Sequence, residues 1–374
     1  MKIHIAQIKE YDSIVIRQFM AEAADKDDLW QQLQDCHNIL IKPNLLGPYP
    51  PSAAITTHPA VLESLILLLR EHGKEVWLGD SPGGTNPVNR VWQATGIKDL
   101  AEKYSCQLLN FSSGNVRIIK QGNIEFSLTD YFWQADAIIS VGKYKTHSLM
   151  YYTGAVKNLY GLIPGLKKSD YHKYYPDNAS FSRVLASLYE ICRQRFIYSF
   201  VDGIWGMEGE GPSAGIPRNF GTMFASLSAA ALDWTAARMM GYDPGRISYL
   251  AATLQMDDLQ PSDLEVEDKW RDFIFPDVKI KGISRLIKFL AHSPAFLKNS
   301  FRRIYRYYPD FNENCKLCGV CVTSCPVQAI RMEGTGSTPV IDYKTCIKCL
   351  CCHEVCPYHA VYIKKSLLAK FLIK

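Results

Sequence analysis

Short apolar runs recur along the first two-thirds of the chain. Each is closed by a loop marked with glycine or proline, and a stretch with helical spacing usually follows. Asn38–Lys42 is such a run, ended by Pro43 and Asn44. Thr57 or His58 then stands where a helix cap belongs, with Pro59 at the first helical position. Leu62, Leu65, Ile66 and Leu69 follow at intervals of three and four, up to Gly73. Glu75–Gly79 reads as the next strand, and residues 88–104 fit a second helix. Ala135–Val141, Phe196–Val201 and Gly221–Ser226 are further strands, and the N-terminal residues also open like one. An alanine-rich helix fits 229–241, closed by Gly241. Strands alternating with helices of this length predict an α/β fold, a parallel or mixed sheet with helices on both faces.

The pattern fades beyond residue 255. Residues 281–308 carry seven Lys or Arg and no acid, as does a basic, amphipathic helix or linker. We read residues 1–255 as the α/β domain, 256–308 as a mixed and basic helical linker, and 309–374 as a small C-terminal domain. The basic stretch covers anionic groups nearby or docks an acidic redox partner or a membrane surface.

At 374 residues and 47% hydrophobic the chain has material for a full core and two domains. A formal charge of +5 is modest for this length and argues for no nucleic-acid partner. No stretch of 18 apolar residues predicts a transmembrane segment, and the N-terminus has no signal-peptide pattern.

The twelve cysteines change the picture. Cys315, Cys318, Cys321 and Cys325-Pro326 repeat their spacing 31 residues later as Cys346, Cys349, Cys352 and Cys356-Pro357. Three thiolates three or so residues apart wrap one face of an iron–sulfur cubane, and the fourth iron takes a ligand from elsewhere. In the bacterial two-cluster arrangement that ligand is the last cysteine of the other run. One cluster is thus expected on Cys315, Cys318, Cys321 and Cys356, and the other on Cys346, Cys349, Cys352 and Cys325. Zinc sites favour pairs of Cys-x-x-Cys or Cys/His mixtures and leave the third cysteine and the Cys-Pro of each run unexplained. Cys36, Cys106, Cys192 and Cys351 remain, too scattered for a disulfide framework. Reduced thiols and oxygen-sensitive clusters place the expected protein in the cytoplasm. Cys351, beside Cys352, is read as a spare thiol, and Leu350 replaces the Gly319 of the first run. The stretch 312–364 resembles the bacterial-type ferredoxin domain, small and α+β in fold.

Four loops after strands carry the remaining chemistry. They are Lys42-Pro43-Asn44, Asp80-Ser81-Pro82-Gly83-Gly84, the run from Lys143 to His147 leading on to Lys157-Asn158, and Asp202 to Glu208. In a doubly wound sheet such loops converge on one crevice. Lys42, Lys143, Lys145 and Lys157 beside glycine-rich turns suit a carboxylate or phosphate. Asn44, Ser81 and Asn158 supply polar contacts, while Asp80, Asp202 and Glu208 orient the cations or bind a metal. Lys145, Lys157 and His147 are the candidate catalytic groups, His147 as proton donor. No Walker sequence and no Gly-x-Gly-x-x-Gly after a strand accompanies them.

The ordered motifs Lys-Pro-Asn, Thr-Thr-His-Pro, Gly-Asp-Ser-Pro-Gly, Lys-x-Lys-Thr-His, Gly-Ala-x-Lys-Asn-Leu-x-Gly and Met-Glu-Gly-x-Gly-Pro span about residues 38–245. They resemble the family catalogued as domain of unknown function 362, whose members often carry a ferredoxin domain. The resemblance implies a fold and a shared site but no reaction. The expected function is electron transfer between two [4Fe-4S] clusters and a small anionic substrate or bound cofactor in the crevice, with a redox partner protein outside. A pure electron carrier and a non-redox enzyme with structural or sensing clusters are the alternatives.

Overall fold

The computed structural model describes residues 1–195, 197–280, 307–334 and 336–365. The basic stretch 281–306 and the tail 366–374 lie outside the described residues, and with them the expected basic docking face. The large domain contains strands β1 (His4–Gln7), β2 (Asn38–Pro43), β3 (Glu75–Asp80), β4 (Gln107–Asn110), β5 (Val116–Gln121) and β6 (Ile124–Thr129). It continues with β7 (Ala137–His147), β8 (Tyr151–Thr153), β9 (Ile197–Glu208) and β10 (Ile216–Ser226). One sheet runs in the order β1-β10-β9-β7-β2-β3-β4, with β8 paired to the end of β7. From β9 to β4 neighbouring strands on this path are parallel, while β10 and β1 add an antiparallel edge. β5 and β6 form a separate hairpin.

Alternation along the strands builds two cores. β2 sends Leu40 to one face and Ile39 and Ile41 to the other, and β7 likewise divides Ile138 from Ile139 and Val141. Helices Ser13–Lys26 and Pro59–Glu71 cover the Ile39 face through Ile16, Phe19, Leu62 and Leu65. Helices Asn178–Cys192 and Ala229–Met239 cover the other face through Phe181, Leu185 and Leu232. This is the mixed α/β sheet that the pattern predicts. The expected cap also forms, with His58 Nδ1 accepting from Ala60 N.

Three departures have local causes. The helix expected over 88–104 is two, Val88–Ala94 and Ile97–Lys103, because Gly96 between them is left-handed at φ 75°. The segments Lys143–His147 and Asp202–Glu208, expected as loops, are instead the far ends of β7 and β9. Their glycines mark close packing rather than turns. A Cβ on Gly142 would stand 2.8 Å from Gly154 O, and one on Gly203 2.9 Å from Thr222 O. Residues just beyond 255 pack back onto the large domain through Trp270 and Phe275.

In the small domain β11 (Tyr307–Phe311) pairs antiparallel with β14 (Val361–Lys365), and β12 (Ile330–Arg331) with β13 (Val340–Ile341). Two short helices, Val320–Thr323 and Cys351–Val355, each follow a left-handed residue, Gly319 at φ 74° and Leu350 at φ 63°. The domain rests on the large one. Tyr49 Oη donates to Cys356 O at 2.8 Å, Ser213 Oγ to His353 O at 3.3 Å, and Thr85 meets Thr323 at 2.9 Å. Among the described residues no helix is long and apolar enough to cross a membrane.

Candidate functional site at the domain junction

Parallel pairing of β2 with β3 brings Lys42 and Asp80 to adjacent strand ends. Lys42 Nζ lies 2.8 Å from Asp80 Oδ1, with side chains 1% and 4% exposed. Asp80 also accepts from Leu45 N and Ser81 N, both at 2.8 Å. Burial lowers the Lys42 pKa and the Asp80 charge opposes this. Asn158 locks the pair to the next strand, donating to Lys42 O at 3.1 Å and Ser140 Oγ at 2.9 Å. Its turn, Ala155–Asn158, is held by Asp233, which accepts from Ala155 N and Val156 N. A Cβ on Gly161 would overlap Asp80 Oδ1 and Lys42 Nζ, so this motif glycine is required by space.

Beyond the pair lies a cavity of about 80 Å³. The large domain contributes Lys42, Asn44, Asp80, Ser81, Lys157, Asn158, Lys168 and His172, and the ferredoxin helix contributes Cys351, Glu354 and Val355. Lys157 Nζ is 4.0 Å from Glu354 Oε1, its pKa lowered by burial and raised by that carboxylate. His147 Nε2 is 3.8 Å from Glu354 Oε2, and its Nδ1 accepts from Leu149 N and Met150 N at 3.1 Å. Burial, then the charges of Lys157 and Lys145, hold the His147 pKa well below its ordinary value. Near neutral pH His147 is therefore uncharged, with its proton on Nε2. It stands behind Glu354 rather than on the cavity wall.

The four cations do not converge as expected. Lys145 Nζ donates to Asn44 Oδ1 at 2.9 Å and Ile55 O at 2.7 Å, and Asn44 Nδ2 meets Asn158 Oδ1 at 3.3 Å. Lys145 thus backs the pocket through Asn44. Lys143 belongs to another centre, 2.8 Å from Asp202 Oδ2 with both side chains fully buried, beside Tyr11 and His58. Lys42 pairs with Ser140 and so faces away from Lys143, three residues further along β7, while Lys143 and Lys145, two residues apart, are separated by a register shift between them. Glu208 accepts from Arg218 at 2.8 Å and from Lys279 N at 3.1 Å and does not line the pocket. Ser81 Oγ meets Ser112 Oγ at 2.9 Å and accepts from Gly165 N at 2.7 Å, pinning the loop before helix Lys167–Tyr174.

That helix carries two wall residues the motifs do not mark, Lys168 and His172. Four residues apart, they share one face. Inside Lys167-Lys168-Ser169-Asp170-Tyr171-His172-Lys173 they read as a solvated run, and only the fold turns them inward. Glu354 and Cys351 are visible in sequence merely as neighbours of cluster ligands.

The run cysteines gather as iron–sulfur ligands would. Burial raises the Cys321 pKa to about 12, followed by the thiols of Cys356, Cys318 and Cys315. Cys352 is raised by burial and by Cys349, Cys321, Cys346 and Cys325. Cys321 thus lies near Cys356, and Cys352 near Cys325 as well as Cys321. Among the described residues no three His, Cys, Asp or Glu side chains group as ligands of a single ion. A cubane holds its thiolates farther apart than one zinc does. Backbone N–H groups of Ala329 and Ala360 donate to Cys325 and Cys356 at 3.3 Å. Cys351 hydrogen-bonds Cys349 and faces the cavity.

Residues 39–238 match the model of a family described as a domain of unknown function, DUF362. Residues 314–360 match a 4Fe-4S dicluster domain. The chain is similar to the thylakoid-associated protein sll1697 of Synechocystis sp., 28% identical over 271 residues, covering 71% of this chain and 83% of that protein. It is also similar to trichloroethene reductive dehalogenase of Dehalococcoides mccartyi, 40% identical over 58 residues. That likeness covers 12% of this chain and 10% of the dehalogenase. The C-terminal segment is accordingly a [4Fe-4S]-binding ferredoxin domain with an electron-transfer role, and the chain belongs to the DUF362 family.

Proposed function

We propose that this protein carries two [4Fe-4S] clusters and exchanges electrons between them and a small anionic molecule held at the domain junction. The observation that carries this reading is the shared wall. Cys351, Glu354 and Val355, on the helix that holds Cys352, close a cavity whose other residues come from the large domain. When bound, the clusters supply one-electron equivalents. Residues 1–255 form the binding domain in this reading, 309–374 the redox domain, and 256–308 the connection between them.

The chain's own residues do the rest. Around the cavity Lys42, Lys157 and Lys168 face Asp80 and Glu354, and Lys145 stands behind without a carboxylate. Asp80 and Glu354 match Lys42 and Lys157, so the positive excess that favours an anion comes from Lys145 and the protonated fraction of Lys168. Lys157, whose contact with Glu354 is looser than a hydrogen bond, is the group an incoming carboxylate meets. Asn44 and Asn158 orient that anion, and the neutral His147 Nε2–H holds a proton against Glu354. At 80 Å³ the cavity is about half the size of one that admits benzene. Such a volume suits a small carboxylate.

The test is thermal unfolding of anaerobic holoprotein against a panel of small carboxylates and phosphate esters. At 100 times its Kd, a ligand adds about 2.7 kcal/mol to stability. Lys157→Met should abolish that gain with iron and sulfide content unchanged. No gain from any member of the panel would favour a pure electron carrier.

A further inference from the structure

The cavity contains an amine that none of the sequence motifs includes. Lys168 stands on the helix Lys167–Tyr174 and lines the wall together with Asp80, Lys157 and His172. The residue is partly exposed, while its Nζ turns inward and donates to the carbonyls of Ser81 and Pro82. Among the described residues no carboxylate pairs with it. Asp80 and Glu354 are the carboxylates whose charge reaches it; the Asp80 oxygens are already taken by Lys42 Nζ, Leu45 N and Ser81 N, and Glu354 lies beside Lys157. Lys42 is bound in its ion pair, Lys145 donates to Asn44 and Ile55, and Lys157 lies beside Glu354. Among the described residues Lys168 is the wall cation whose hydrogen-bond partners are both neutral.

An amine in this position has two physical properties. Desolvation disfavours its ammonium form, and neighbouring Lys42 and Lys157 repel a further positive charge, against the attraction of Asp80 and Glu354. Together these bring its pKa down to about 7. A lysine desolvated next to other cations is a nucleophile toward carbonyl carbon. One turn along the helix sits His172, 6% exposed and stacked on Phe181 at 4.1 Å, with no hydrogen-bond partner for its Nδ1. Burial brings the His172 pKa down to about 4, so at pH 7 the imidazole is neutral and its orphaned nitrogen can take up a proton in passing.

We infer that Lys168 forms a Schiff base with a small oxo acid, whose carboxylate rests against Lys157. This rests on the reading of the junction as an anion site. The Nζ lone pair attacks the carbonyl carbon, a C–N bond forms, and the C=O π pair moves to oxygen. Both amine hydrogens pass to that oxygen, with His172 as the relay, and the oxygen leaves as water. Amine and carbonyl thus become imine and water, with no oxidant or reductant consumed. The class of ligand follows from the wall: a carboxylate for the cations, a carbonyl for the amine, and few further atoms in 80 Å³.

The probe is glyoxylate, the smallest oxo acid, given to anaerobic holoprotein at pH 7 with cyanoborohydride, which reduces an imine to a stable secondary amine. Peptide mass mapping then reads carboxymethyl-lysine at each position over time. At pH 7 half of an amine with a pKa of about 7 is neutral, against roughly one in 2,500 of a solvated lysine. Lower intrinsic nucleophilicity offsets part of this, and Lys168 should be labelled at least about tenfold faster than the median lysine. Lys168→Arg should remove that fast site, while Lys173→Arg, on the same helix, should keep it. Malonate, which has the carboxylates and no carbonyl, should slow the labelling of the unmodified chain, so the inference stands testable even if Lys168→Arg misfolds. Labelling of Lys168 no faster than the median, or a fast site elsewhere, would overturn it. Thermal stabilisation by malonate in the same samples separates the outcomes. Stabilisation without fast labelling sinks the Schiff base and leaves the anion site, and neither effect sinks both.

Discussion

The buried pair Lys42–Asp80 is the joint on which the pocket is built, and a double-mutant cycle tests it. Both side chains are withdrawn from water, and the carboxylate holds three donors, Lys42 Nζ, Leu45 N and Ser81 N. Removing one partner of such a pair strands the other charge, which costs about 3–5 kcal/mol. Asp80→Asn leaves Lys42 with only Pro43 O at 3.1 Å and Asn158 Oδ1 at 3.4 Å, and sets an amide against a backbone N–H. Lys42→Met leaves a carboxylate that two backbone N–H groups still serve, so its cost falls near the lower bound and that of Asp80→Asn near the upper. The double variant loses both charges together and costs less than the sum, with a coupling of at least about 2 kcal/mol. Guanidinium titrations followed by tryptophan fluorescence isolate the large domain, because all seven tryptophans lie between Trp30 and Trp270. Additive costs, or an Asp80→Asn penalty below about 1 kcal/mol, would show that the pair is solvated and the argument for a dry cation site mistaken.

Three further outcomes follow from the same geometry. Gly161→Ala keeps an ordinary backbone but drives a methyl into the Lys42–Asp80 pair, so it should cost about 1–3 kcal/mol and remove the anion-induced thermal gain; retention of that gain would refute the space argument. Lys168 has a folded pKa of about 7 against roughly 10.4 unfolded, so the unfolded chain binds more protons between those values. The stability of wild type relative to Lys168→Met should therefore rise from pH 7 to pH 10 and stay level below pH 7, and a flat difference would contradict the burial of that amine. Cys351→Ser should leave the protein with close to eight iron and eight sulfide per chain, because Cys352 keeps the ligand spacing; loss of half would make Cys351 a ligand.

Much of the fold was legible because its signals are local. The β2 run, the Pro59 start with its histidine cap, and both cysteine runs each depend on neighbours in sequence. The reach of β7 and β9 was not, since Lys143 to Asp202 form strand only by pairing with each other across the sheet. Reading those segments as loops also pooled Lys143 and Asp202 with the pocket, whereas strand pairing sets them opposite each other in a closed centre with Tyr11. Lys42, Asp80, Lys157 and Asn158 were found because motif glycines and prolines flank them. Lys168, His172, Cys351 and Glu354 were missed because their roles arise from docking, which no local pattern encodes. Leu350 illustrates the converse: its left-handed conformation is what a glycine there would advertise, yet its side chain is buried.

On the proposed function, a small anion at the domain junction and the electron on the neighbouring cluster feel each other. Cys351 connects the two, lining the cavity and hydrogen-bonding Cys349. An added negative charge there disfavours the reduced cluster, so the anion binds the oxidised protein more tightly, and the coupling is reciprocal. The direct measurement is the pair of cluster midpoint potentials, by anaerobic redox titration with electron paramagnetic resonance, with and without saturating malonate. A tenfold preference for the oxidised state lowers one potential by about 59 mV. A downward shift of that order is expected in the cluster of Cys346, Cys349 and Cys352, and none in Lys157→Met. Malonate that stabilises the protein while leaving both potentials unchanged would contradict it.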